Sequence, residues 1–532
     1  MNVPHSSLIT LALLFLQLSG ASGGKILVFP LDGSHWVNMN VLIEALHAKG
    51  HKITVIRASD SWYISEKSPL YTSVTLTGNG FQQNFDTFLS QQLDIRLRSK
   101  QTSFWSRMWT QRELNRVTVE QFTQFHKGMS ELLIQMFEDK NLMQSFLDAK
   151  YDVVLTDPGI GGGEMLARWL QVPLVFNVRW TVLGEGHFLV APSPLSYIPF
   201  TATELTDKMT FPQRIKNVIS YILGMYTMSC IAGPHYKPIV KKYFGPDVDY
   251  ASLFLDADIW LMRNDFVFEF PRPTMPNIVY MGGFQCKPAK PLPADLEEFV
   301  QSSGDHGVIV MTLGTLVAKL PQDVAEEIAA AFAQLPQKVV WRYTGPRPAS
   351  LGNNTLTVNW LPQKDLLGHP KTRVFVTHGG TNGVQEAIYH GVPVVGLPLF
   401  FDQPDNLSRI RAKGGAVIVD IGMLDRHMFA DALKTALHDS SYRENMQSLS
   451  RLHRDQPMKP LDQAVFWVEY VIRHKGARHL QSQSNKMSWF VYNSLDVIAA
   501  LLTAVMVITF SCISVVRLLW RIIFTGKKVK RE

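Results

Sequence analysis

Residues 360–403 read WLPQKDLLGHPKTRVFVTHGGTNGVQEAIYHGVPVVGLPLFFDQ, and the fold is decided there. Arg373–Thr377 (RVFVT) has the length and character of a buried strand, His378–Gly383 (HGGTNG) is a tight loop, Asn382–His390 a helix, and Pro393–Leu397 a second short strand. Strand, helix and strand in so short a span make a βαβ unit, with its loop at the carboxyl end of the first strand. Gly379, Gly380 and Gly383 let backbone approach a ligand closely. The helix start brings unpaired N–H groups and a partial positive charge, which suit a diphosphate without any metal. His378, Asn382, Glu386, Asp402 and Gln403 flank that loop, and the indole of Trp360 and the amide of Gln363 precede it. A glycine turn before a helix is common and by itself only structural. A flat ring, amides, a carboxylate pair and an anion loop within 44 residues are what a base, a ribose diol, a diphosphate and a sugar require.

These residues resemble the donor-binding signature of the UDP-glycosyltransferases, and within that family the vertebrate membrane-bound UDP-glucuronosyltransferases. The resemblance extends over nearly the whole chain. It implies a GT-B-like pair of Rossmann-type domains with parallel sheets, the amino-terminal one holding a small lipophilic acceptor and the carboxyl-terminal one a UDP-sugar co-substrate, with no metal or other cofactor required. It implies that Trp360 stacks on uracil, Gln363 meets the base or ribose, and Glu386 holds the ribose hydroxyls. His378, Asn382 and Gly383 would hold the diphosphate, with Gly380 in the same loop, and Asp402 and Gln403 would bind sugar hydroxyls. Phe401 departs from the small residue usual in the family, which leaves the sugar open: glucuronic acid is the family default, and glucose or another hexose the alternative.

Upstream, Lys25–Phe29 (KILVF), a PLDGSH turn, a helix at Val37–Lys49 and a strand at His51–Arg57 give another βαβ start. Val37, Val41, Leu42 and Leu46 share one helical face, and Gly50 supplies the stop. The unit lacks GxGxxG, which counts against a nicotinamide oxidoreductase. Asp152–Thr156 (DVVLT) is a second buried strand, followed by a helix at Glu164–Leu170 and a strand at Pro173–Phe176. His35 and Asp157 thus both stand just beyond the carboxyl ends of parallel strands, where ligands gather in such sheets. A neutral imidazole can take a proton from an attacking hydroxyl near neutral pH, and a carboxylate on its other nitrogen fixes the tautomer. Read from the residues alone, His35 is as readily a capping residue and Asp157 a turn former before Pro158. The resemblance assigns them as base and partner, which also counts against a non-catalytic nucleotide-sugar-binding protein.

Residues 60–150 carry no motif that reads as chemistry; Phe104, Trp105, Trp109, Phe122 and Phe125 are expected in the core, with some lining an acceptor pocket. Val218–Ala232 reads as a buried or interfacial helix too short to span a bilayer. Gly282–Pro293 (GGFQCKPAKPLP) marks a boundary between domains at 24–285 and 286–476. Beyond it, Gly307–Thr312 is a strand, Gly314–Thr315 a turn in which Thr315 offers a hydroxyl to phosphate or ribose, and Gln322–Gln334 a helix. Lys338–Tyr343 is a strand carrying Arg342, which steadies the donor or sits in an ion pair. Pro457–Gly476 resembles the family's closing helix, which crosses back to the first domain.

The ends of the chain are targeting segments. Residues 1–23 form a signal peptide around Leu8–Leu16 with small residues at 19–23, although its n-region has no Lys or Arg. After a linker at 477–496, Val497–Val516 is uncharged and long enough to cross about 30 Å of hydrocarbon. The net charge of +7 is concentrated in 517–532, where six basic residues stand against Glu532, so no nucleic-acid patch is implied. By the positive-inside rule this tail is cytosolic and the bulk lumenal, and Lys528 and Lys530 resemble a retrieval signal for the endoplasmic reticulum. Three cysteines make no disulfide framework; buried free thiols are expected at Cys230 and Cys286. Sequons stand at Asn353 and Asn406, the latter close enough to Gln403 to crowd the donor site. Self-association, or association with a relative, is left open.

Overall fold

A computed structural model describes residues 23–525 apart from 79–80, 99–102, 180, 183, 315–316 and 318. The signal segment up to residue 22, Thr315 and the basic tail from 526 lie outside the described residues. Two parallel sheets account for the strands. The first joins β1 (Lys25–Phe29), β2 (Lys52–Ala58), β3 (Thr72–Leu76), β4 (Val153–Thr156), β5 (Leu174–Val178), β6 (Ile259–Met262) and β7 (Ile278–Tyr280) in the order β3-β2-β1-β4-β5-β6-β7. The second joins β8 (Val308–Thr312), β9 (Lys338–Arg342), β10 (Thr355–Val358), β11 (Thr372–Thr377), β12 (Val394–Gly396) and β13 (Ala416–Ile418) in the order β10-β9-β8-β11-β12-β13. Helices cover both faces of each sheet, so these strands are buried on both sides and read as continuous apolar runs. Along β1, Ile26 and Val28 pack with one core and Leu27 and Phe29 with the other. In the second sheet Ile309 and Met311 face away from Val308 and Val310 in the same way.

Each lobe lends the other a helix. Phe88, Leu89 and Leu93 on helix Phe81–Arg98 are buried against the second sheet's core, although they belong to the amino-terminal half. Helix Pro460–His474 returns to the first sheet through Ala464, Val465, Val468 and Val471. The expectation that residues 60–150 bury their aromatics fails at Phe104, Trp105 and Trp109, which are exposed, while Phe122 and Phe125 are half-buried. An amphipathic stripe and a core stripe look alike in one sequence; what packs on them decides. The segment 218–232 is part of a 34-residue helix, Phe211–Phe244, started by a Thr210–Gln213 capping box. Its outer face is apolar and exposed at Phe211, Ile215, Ile219, Ile222, Leu223 and Tyr226 rather than buried.

The chain divides into two compact units, 1–480 and 481–532. In the second, Leu495–Phe524 holds an 18-residue stretch with a mean hydropathy of 2.4 and is, among the described residues, the one helix long and apolar enough to cross a membrane. It runs past the expected end at Val516, through Arg517 and Arg521, to Thr525. Cys230, Cys286 and Cys512 are free, and Cys230 is exposed rather than buried.

Candidate active site

In both sheets the strand order reverses once, between β1 and β4 and between β8 and β11. At such a switch point neighbouring loops diverge and leave a crevice at the carboxyl ends of the strands. Phe29 pairs with Thr156, so the segments carrying His35 and Asp157 emerge side by side. His35 Nδ1 lies 2.6 Å from Asp157 Oδ2. Asp157 is fully buried, and its other oxygen accepts from the Gly159 N–H at 2.9 Å. The carboxylate is thereby fixed at both oxygens and holds Nδ1 as the protonated nitrogen. Among the described residues nothing bonds Nε2, the nitrogen left to act. Burial lowers the His35 pKa below its ordinary value; Asp157 opposes this, and the Arg263 and Arg179 charges reinforce it.

The second crevice forms alike, with Thr377 paired to Thr312 and the His378–Gly380 loop leading into helix Thr381–His390. That helix has no side-chain cap bond and no acid in its first turn, so among the described residues its leading N–H groups are open to an anion. Gly379 has φ +90°, and a Cβ there would lie 2.5 Å from Leu407. A Cβ at Gly380 would meet the His378 ring at 2.6 Å, and one at Gly314 at 2.7 Å, so the imidazole is seated between two glycines. Burial, with Arg179 adding to it, brings the His378 pKa down to about 4, and the ring stays neutral at physiological pH.

Gln363 Nε2 donates to Glu386 Oε2 at 2.6 Å, and burial raises the Glu386 pKa. A Cβ at Gly383 would make only ordinary contact with Gln363 Nε2, at 3.5 Å, and would press on the Phe375 ring at 3.3 Å. Trp360 is 68% exposed, its ring covered on one side by Arg342 at 5.6 Å. Arg342 donates from Nη1 to the Gly314 carbonyl and from Nε to the Asn359 carbonyl at 3.2 Å, tying the loop after β8 to the segment that carries Trp360. Among the described residues it sits in no ion pair. Gln403 Oε1 accepts from the Leu399 and Phe400 N–H groups, each at 2.9 Å, which leaves its amide N–H₂ to donate outward. Asp402 Oδ2 accepts from Thr381 Oγ1 at 3.1 Å and from Asn406 Nδ2, and is paired with Arg179 Nη2.

The two crevices face each other. Asn38, one turn after His35, donates through Nδ2 to Asn382 Oδ1 at 2.8 Å, so the helix starts of the two lobes touch. Gln385 Nε2 donates to the Arg263 carbonyl at 2.7 Å. The Asp405 carboxylate accepts from the Ala202 and Glu204 N–H groups at 2.6 and 2.9 Å, and Arg409 Nε donates to Glu269 at 2.8 Å. Asn38, Arg179 and Arg263 were not singled out from the sequence. Arg179 follows β5 and Arg263 follows β6 directly, so the strand-end argument that picked His35 and Asp157 would have found them. Among the described residues, no three His, Cys, Asp or Glu side chains group as a metal site.

Phe401 takes φ +54°, a left-handed backbone that costs a bulky residue about 1–3 kcal/mol. Its ring stacks on Phe85 at 6.3 Å and meets Phe88 at 5.9 Å and Phe122 at 6.1 Å, all from the amino-terminal half. The large residue at this position thus packs between the lobes. Asn406 is buried, and its amide donates to the Gly379 carbonyl at 3.0 Å, whereas Asn353 is exposed. In cells that glycosylate the chain, Asn353→Gln is expected to abolish an endoglycosidase-sensitive mass shift and Asn406→Gln to leave it unchanged, as read by gel mobility.

Two facing Rossmann-type lobes with a cleft at both switch points make up the GT-B fold. Solved structures agree on the fold: the calicheamicin glycosyltransferase CalG4 superposes with a TM-score of 0.55 at 19% identity, covering 85% of this chain and 98% of that one. A UDP-glucosyltransferase from Polygonum tinctorium superposes with a TM-score of 0.56 at 15% identity, covering 85% and 99%. The chain belongs to the UDP-glucoronosyl and UDP-glucosyl transferase family, whose profile matches residues 24–531. Among curated relatives, UDP-glucuronosyltransferase 2A2 of Mus musculus is 41% identical, with 96% of each chain covered. UDP-glucuronosyltransferase 2C1 of Oryctolagus cuniculus is 43% identical over 94% of this chain and 99% of its own.

Proposed function

We propose that this enzyme transfers glucuronic acid from UDP-glucuronate to a hydroxyl of a small lipophilic acceptor, inverting the anomeric centre, at the endoplasmic reticulum membrane with its lobes in the lumen and its tail in the cytosol. His35 Nε2 removes the acceptor proton while Asp157 stabilises the imidazolium. The hydroxyl oxygen attacks the anomeric carbon from the face opposite UDP. The leaving diphosphate is held by His378, Asn382 and the free N–H groups of the helix start, with Gly380 and Gly383 giving it room. Trp360 carries the uracil, Gln363 and Glu386 the ribose, Thr315 and Arg342 the phosphate side, and Asp402 and Gln403 the sugar hydroxyls.

The observation that carries this reading is the part-buried His35–Asp157 contact one helical turn from the Asn38–Asn382 bond. A base and an anion loop on opposite lobes are thereby neighbours. UDP release from membranes holding the full chain, supplied with each UDP-sugar and a panel of phenols and steroid alcohols, tests it. UDP-glucuronate should give the highest kcat/KM; release with no donor would remove the reading, and preference for UDP-glucose would replace the sugar.

The pH profile follows from burial of His35. A base with a lowered pKa stays neutral, and active, to below the ordinary histidine value of about 6.5. kcat/KM is expected to hold level from pH 8 to 6.5 and fall only below that. Asp157→Asn removes an influence that raises this pKa, so its acid limb should move to still lower pH.

A further inference from the structure

We propose that Arg179 is an anion receptor inside the donor cleft, releasing Asp402 and taking up an anionic oxygen of the bound nucleotide sugar. The proposal rests on the nucleotide-sugar reading above and extends it to a residue outside the signature.

Asp402 Oδ2 receives three donors: Thr381 and Asn406 from its own lobe and Arg179 from the other. One carboxylate oxygen has two lone pairs, so Thr381 and Asn406 suffice, and Arg179 can leave without orphaning the acid. Asp402 is, among the described residues, the one acid paired with this guanidinium, whose five donors form a fork suited to a planar or tetrahedral oxyanion.

The surroundings supply a second observation. Arg179, Arg263, Asp402 and Asp405 line one cavity of about 60 Å³, which has room for a carboxylate-sized group. Arg263 is buried there, and among the described residues its Nε has no hydrogen-bond partner. The other charges of the cavity are already engaged: Arg409 with Glu269, Glu185 with Arg272, and Asp405 with the N–H groups of Ala202 and Glu204. Among the described residues, a donor without a partner thus lines the same cavity as a guanidinium that shares its one paired acid, a setting that suits negative charge. Arg179 also acts electrostatically on both His35 and His378.

Two anionic groups of the donor fit this chemistry, the sugar carboxylate of UDP-glucuronate and the sugar-side phosphate of any UDP-sugar. Equilibrium binding of UDP, UDP-glucose and UDP-glucuronate to the solubilised full chain separates them. With Arg179→Gln, a loss of about 10- to 150-fold for UDP-glucuronate alone assigns the carboxylate; the same loss for all three assigns the phosphate. Arg179→Lys should recover part of either loss. Wild-type affinity for all three ligands in the Gln variant would overturn the proposal.

Should Arg179→Gln not fold, Arg179→Lys carries the test. A point charge cannot make the paired bonds of the guanidinium fork, so a loss of at least about threefold is expected, for UDP-glucuronate alone or for all three ligands. Wild-type affinity for all three in the Lys variant would refute the exchange. A wild-type chain that binds none of the three ligands would instead sink the nucleotide-sugar reading itself.

Discussion

His35→Ala is expected to lower kcat by about 10²–10⁴-fold while leaving the affinity for UDP within about twofold of wild type. The reasoning is local. In the proposed reaction the imidazole touches the acceptor hydroxyl and nothing of the donor, so its removal costs the proton transfer alone. The fold should survive, because among the described residues the side chain bonds only Asp157, which keeps the Gly159 N–H on its second oxygen. Asp157 then remains as a buried carboxylate with one partner fewer, and some loss of thermal stability is expected beside the loss of rate. Single-turnover kinetics with saturating UDP-sugar, paired with a UDP-binding isotherm, read the two effects apart. A variant as fast as the wild type would remove His35 from the base role.

Glu386→Ala should do the reverse. A carboxylate accepting from ribose hydroxyls makes charge-assisted bonds of about 1.5–3 kcal/mol, so the variant is expected to bind UDP about 10- to 150-fold more weakly. Donor KM should rise with kcat changed far less, since the ribose contacts are the same in ground and transition states. Gln363 loses the acceptor it now reaches at 2.6 Å and must find water, which the half-open cleft allows. Unchanged UDP affinity in a folded variant would take the ribose role from Glu386.

Strand ends carried most of what could be read from the sequence. β1, β4 and β11 are buried on both faces, so their runs KILVF, VVLT and RVFVT stand out, and the segments leaving them fall at switch points by topology alone. His35, Asp157 and His378 lie on those segments, and it is the family resemblance that assigns their roles. The aromatics Phe104, Trp105 and Trp109 were misjudged because exposed and buried apolar stripes share one periodicity. Helix Phe81–Arg98 packs on the opposite lobe, which no local pattern announces. The clasp of Asp405 on Ala202 joins residues 203 positions apart, and Arg179 meets Asp402 across the same cleft. Such pairings arise from how the lobes close, a property of the folded chain rather than of any window of it. Phe401 shows the limit from the other side: its size was plain in the sequence, but its left-handed backbone and its seat against Phe85, Phe88 and Phe122 were not.

The central claim is a single in-line displacement, with the base on one lobe and the departing UDP on the other. The anomeric configuration of the product formed from an α-linked UDP-sugar, read from its proton coupling constant by NMR, tests it most directly. One displacement from the face opposite UDP predicts a β-linked glycoside; an α-linked product would contradict the account.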